Sequence, residues 1–156
     1  MLYYYTYLSL LLATCMLSIF VKKAEYHLRV IKILLICASL AEAIVYVLVF
    51  HFDLRPEFYI VYHLYVPLEF VLIMWFYSHY PPISTNKRLV VIITVIICTC
   101  QILLSAVKGY YILPGIQLNL TALFVIVALS SVMLTLEPQY NKSIFSLPIF
   151  WISCGF

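Results

Sequence analysis

VYHLYVPLEFVLIMWFY, residues 61–77, decides the fold. With Phe58–Ile60 ahead of it, the stretch reaches the roughly 20 mostly apolar residues that a helix needs to cross a bilayer. Yet Glu69 stands near its middle, two residues after Pro67. An acidic side chain at the centre of a membrane helix costs about 2.5 to 3.5 kcal/mol on insertion scales, so the surroundings have to supply partners for it.

Working outward, the rest of the chain has the same character. Of its 156 residues 66% are hydrophobic and 10% are charged, with a mean hydropathy of +1.10. Soluble domains carry about 25% charged residues, and a small soluble fold could not bury this much apolar side chain. The composition therefore reads as an integral membrane protein. Three glycines and five scattered cysteines exclude collagen-like and disulfide-framework readings. A net charge of +3, dispersed along the chain, excludes a nucleic-acid footprint.

Five apolar runs predict complete spans over about 3–21, 33–52, 58–77, 89–107 and 116–136, with short polar stretches such as KKAEYHLRVIK and PPISTNKR between them. A sixth run, PIFWISCGF, opens at Pro148 and occupies 148–156. Nine residues rise only about 14 Å as a helix. The run is expected to be the start of a span that continues beyond Phe156, or else a short helix in the interface. The expected fold class is all-α, a single polytopic transmembrane helical bundle over residues 1–156, truncated from a seven-helix protein. Lysine and arginine set its orientation. Lys22, Lys23, Arg29, Lys32, Lys87, Arg88 and Lys142 follow the first, third and fifth spans, against Arg55 and Lys108 after the second and fourth. The odd loops are thus expected in the cytoplasm and the N-terminus outside. YYYTY at the start of the first span, with Trp75, Tyr77, Tyr80, Tyr110 and Tyr111, fits aromatic belts at the two interfaces.

The polar residues inside the spans are the candidate site. Glu42 lies near the middle of the second span, as Glu69 does in the third, and the short DLRPE connection makes the two helices antiparallel neighbours. Their carboxyls are expected at one depth. Ser39, Glu42 and Tyr46 share a face of one helix, and Tyr62, Tyr65 and Glu69 share a face of the other. Tyrosine hydroxyls can donate to a carboxylate. Pro67 removes a backbone donor and favours a kink, and Gln101 of the fourth span is expected to face the acids, with Gln117 and Asn119 nearer the outer surface. The ligand- or proton-site candidates are therefore Glu42, Glu69, Tyr46, Tyr62, Tyr65 and Gln101. The functional reading is a polar pocket for a proton, a cation or a small polar ligand. The bland reading is a pair of protonated carboxyls serving as interhelical glue, and a third is a different register that leaves one acid near water.

Other patterns carry less. His27, His51, His63 and His79 do not have metal-ligand spacing, and His63 lies about 120° around its helix from Glu69, which reads as a packed or interface histidine. Cys98 and Cys100 point to different helix faces, so no metal clip is expected. There is no Gly-rich phosphate loop, no activated nucleophile in a recognisable setting, and no loop long enough for a catalytic domain. No catalytic residue, cofactor or metal is expected, and the chain reads as a non-enzyme.

The cluster Tyr62, Pro67, Leu68, Glu69 and Phe70, with Pro148, Phe150, Trp151 and Gly155, resembles a group of bacterial multi-helix integral membrane proteins. Some of these are the N-terminal membrane sensor halves of histidine kinases, and others are short proteins without a kinase. The resemblance covers most of the chain and implies a seventh helix, a bacterial cytoplasmic membrane location and a cytoplasmic output domain, attached or on a protein partner. With the N-terminus outside, only an odd number of spans delivers such a domain to the cytoplasm. Three functions follow: a membrane-embedded signal-input or regulatory module, a small proton-coupled transporter, and a structural or accessory subunit of a membrane complex.

Overall fold

The structure, a computed structural model, describes residues 2–20, 26–54 and 57–140. Among them the chain forms α1 (Leu2–Phe20), α2 (Tyr26–Phe50), α3 (Phe58–Tyr77), a 3-10 turn (Ile83–Asn86), α4 (Lys87–Lys108) and α5 (Gly115–Tyr140), with no strand. Four stretches, Arg29–Phe50, Phe58–Tyr77, Ile83–Lys108 and Gly115–Thr135, are long and apolar enough to cross a membrane. The first expected span is a helix of 19 residues, Leu2–Phe20. The sixth run, 148–156, lies outside the described residues, as do Lys22, Lys23, Arg55 and Lys142.

The third span coincides with its expectation, because Phe58–Tyr77 is an uninterrupted apolar run with polar residues on both sides. The second does not. It begins at Tyr26 rather than Ile33, so Arg29 and Lys32 are helical and not in a loop. Long basic side chains keep their heads toward water while their stems cover apolar surface, and both residues are good helix formers. Meanwhile Val30 and Leu34, spaced one turn apart, are 2% and 5% exposed and anchor that first part of α2 against the bundle.

α3 is the central helix, packed against α2, α4 and α5, and α1 lies against α2. The half of the bundle holding the end of α3 and the start of α2 is apolar. Val30, Leu34, Phe70, Ile73, Phe76, Tyr77, Ile97, Val132 and Met133 form one core, with the Phe70 and Phe124 rings edge to face at 6.2 Å. Lipid tails are as apolar as these side chains, so close packing and not the hydrophobic effect holds the helices together here. Outward-facing Leu40, Ile44, Leu64, Val95, Leu103 and Ile126 leave an apolar surface exposed, as a bilayer-facing bundle requires.

α2 ends in a tight turn. Past Phe50 the chain folds back along α2: the Leu54 N–H donates to the Leu48 carbonyl at 3.0 Å, and Asp53 takes a left-handed conformation with φ 51°. Tyr62 of α3 faces Glu42 of α2, and Glu69 lies seven residues beyond Tyr62, about 10 Å further along the α3 axis at 1.5 Å per residue.

Candidate functional site

Each carboxyl is held by a tyrosine. Tyr62 Oη donates to Glu42 Oε1 at 3.0 Å across the α2–α3 interface, and Tyr65 Oη donates to Glu69 Oε1 at 3.2 Å along α3. Glu42 is buried at 9% exposure, and Ser39, one turn earlier on α2, is buried with its hydroxyl unpartnered. Tyr46, expected in the same stripe, turns toward α1. Its ring packs on Phe50 at 4.9 Å and edge-on to Tyr5 at 6.4 Å. α1 also brings a residue that the spacing arguments did not single out: Tyr7 lies within electrostatic range of Glu42, Glu69 and Tyr65. The acids thus sit along the seam where α1, α2 and α3 meet. α3 runs as one helix through Pro67, whose carbonyl accepts a contact from Cys98 Sγ at 3.7 Å.

Gln101 lies elsewhere, in a second polar cluster between α3, α4 and α5. It is fully buried, and its amide nitrogen donates to Thr121 Oγ1 at 2.8 Å. One turn along α4, Ser105 accepts a hydrogen bond from Gln117 Nε2 at 3.2 Å. The two contacts are rungs of one antiparallel ladder: a Gln and a hydroxyl residue four apart on α4 meet a Gln and a hydroxyl residue four apart on α5. Each rung pairs an amide donor with a hydroxyl oxygen.

His63 of α3 closes the ladder. Its Nδ1 is 2.8 Å from Ser105 Oγ and its Nε2 is 2.8 Å from the Ile112 carbonyl. A carbonyl only accepts, so Nε2 carries a proton, and in the neutral ring Nδ1 accepts from the Ser105 hydroxyl. That hydroxyl also lies 3.0 Å from the Gln101 carbonyl, so one proton has two competing acceptors. Tyr110 stands edge-on to the imidazole at 5.6 Å. The packed histidine expected from spacing is thus a link from α3 to α4 and the α4–α5 loop. Gln101 Oε1 remains buried without a partner.

The cluster had a signal that spacing alone could have supplied. Gln101/Ser105 and Gln117/Thr121 are matching i, i+4 pairs on helices joined by the short loop Gly109–Pro114. Side chains so spaced share a helix face, and antiparallel neighbours bring such faces together.

Among the described residues, no three His, Cys, Asp or Glu side chains gather as a metal site. Chemically, the α1–α3 seam offers two carboxyls and three phenols, a set suited to holding a proton or a cation. No protein-family model, curated protein or solved structure matches the chain.

Proposed function

We propose that the chain is a membrane-embedded signal-input or regulatory module, multi-pass in a bacterial cytoplasmic membrane with its N-terminus outside. Its output goes to a cytoplasmic domain or protein partner. The observation that carries this reading is the seam itself: Glu42 and Glu69, on neighbouring helices, are each tied to a tyrosine hydroxyl, with α1 contributing Tyr7. Two acids inside apolar spans are costly, and their tyrosine partners come from the helices whose relative position they would set. Gain or loss of a proton, or binding of a cation, changes which of those hydrogen bonds can form. A packing shift follows where two arrangements of α1–α3 differ in affinity for that proton or cation.

The test is a distance measurement by double electron–electron resonance in nanodiscs, with spin labels at the exposed Leu12 and Leu64 in a chain whose native cysteines are replaced. The label separation is expected to differ between acid and alkaline buffer, and Glu42→Gln with Glu69→Gln is expected to hold it at one value. A separation that ignores pH and added cations in the unsubstituted site would reduce both acids to packing elements and leave a structural subunit.

A further inference from the structure

A groove of about 480 Å³ runs between α3 and α4, lined by Val71, Met74, Trp75, Val91, Val95 and Ile102 among others. Lys87 stands at one end and Ile102 at the other, fifteen residues apart on α4, or about 22 Å at 1.5 Å per residue. One leaflet of hydrocarbon is about 15 Å deep. The groove therefore follows a membrane tail from the interface past the bilayer centre. Trp75, Val91, Val95 and Ile102 are exposed along it, so it opens sideways toward lipid.

Its polar lining residues are spent on backbone. Ser78 Oγ donates to the Trp75 carbonyl, Thr94 Oγ1 to the Val90 carbonyl and Thr99 Oγ1 to the Val95 carbonyl, at 2.7, 2.7 and 2.8 Å. Cys98 Sγ turns to the Pro67 carbonyl. What remains is a hydrocarbon wall with a cation at its end. A shallower hollow of about 380 Å³ shares Lys87 and Val91 and adds Arg88 and Ile92. Neither Lys87 nor Arg88 pairs with an acid among the described residues, and no acid lines either hollow. Trp75, an interface-seeking residue, marks the depth at which a headgroup would lie.

We propose that this face of α3 and α4 is a binding site for an anionic phospholipid, one acyl chain in the α3–α4 groove, the second against Val91 and Ile92, and the phosphate on Lys87 and Arg88. Charge complementarity selects the occupant: two cations without an acid partner among the described residues, at the mouth of an apolar groove, match a negatively charged headgroup on an apolar tail. The anionic inner leaflet supplies such lipids, on the side where the basic loops are placed. The site is separate from the carboxyl seam and does not rest on its function.

Native mass spectrometry of the protein released from nanodiscs of equal phosphatidylglycerol and phosphatidylethanolamine tests this. Phosphatidylglycerol is expected to be retained in excess over its share of the bath. Lys87→Gln and Arg88→Gln are each expected to lower that excess by about fivefold, the worth of one cation near an anionic surface. Thr94→Trp, which fills the groove and leaves both charges, is expected to abolish retention. A bath-like ratio in the unsubstituted chain overturns the proposal. So does undiminished retention in Thr94→Trp, which would mean charge attraction without a groove, or a groove found closed by residues 141–156 or by a second copy in cross-linking.

Discussion

Ser105→Ala removes one oxygen atom and leaves shape nearly intact, so its cost reads the hydrogen bonding of the α3–α4–α5 cluster directly. Ser105 is 2% exposed, and its hydroxyl meets His63 Nδ1, Gln117 Nε2 and the Gln101 carbonyl at 2.8, 3.2 and 3.0 Å. Side-chain hydrogen bonds within membrane bundles average about 0.6 kcal/mol, so the one bond that the hydroxyl donates and the one that it accepts from Gln117 give about 1 kcal/mol. Orphaning a buried donor adds about 1 kcal/mol or more, the desolvation penalty that nothing then offsets. The expected loss is about 2 kcal/mol, measured as equilibrium unfolding in bicelles by steric trapping. Ser131→Ala is the control, since its hydroxyl only donates back to the Val127 carbonyl of its own helix at 2.8 Å, and it is expected to cost under about 0.5 kcal/mol. Equal losses for the two variants would refute the reasoning and reduce the ladder to incidental contacts.

Other consequences can be checked in the same assay. A double-mutant cycle of Tyr62→Phe with Glu42→Gln is expected to show a coupling of about 1 kcal/mol, and the cycle with Glu69→Gln nearly none. The reverse ranking would overturn the pairing of Tyr62 with Glu42. Gln101→Leu gives up the bond to Thr121 but also removes a buried acceptor with no partner, so it is expected to fall within about 1 kcal/mol of the parent, and a loss above about 3 kcal/mol would count against the orphaned oxygen. Asp53→Val is expected to cost about 1 to 2 kcal/mol because a β-branched residue resists the left-handed conformation, with Asp53→Gly costing less; equal costs would locate the effect in the carboxyl.

Long apolar runs and their bounds were legible wherever polar residues punctuate them, as at both ends of α3. The start of α2 was not, because Arg29 and Lys32 look like loop residues until Val30 and Leu34 are seen packing between them. Each acid's tyrosine partner was legible by residue, yet the pairing of Tyr62 with Glu42 across α2 and α3 depends on how the two helices pack, which no residue spacing encodes. Tyr46 left its predicted stripe because α1 offers Tyr5 as a ring partner. Gln101 was placed toward the acids since it was the strongest polar side chain of its span, while its true partner, Thr121, is small enough to pass as a lipid-tolerant residue. His63 reaches Ser105 and Ile112, more than forty residues away, and such pairings arise only after the bundle assembles.

The two-rung ladder between α4 and α5 also makes their alignment a matter of whole steps. Were α5 to slide one turn along α4, Ser105 would face Thr121, or Gln101 would face Gln117, and at most one rung would survive in either direction. Among the described residues the opposite half of the bundle has no hydrogen-bonded key, and Val132, Met133 and Phe76 fix it by packing alone. In the α4–α5 hairpin a pair of glutamines and a pair of hydroxyls thus act as a vernier, adding a directional register to the one that close packing sets at the apolar end.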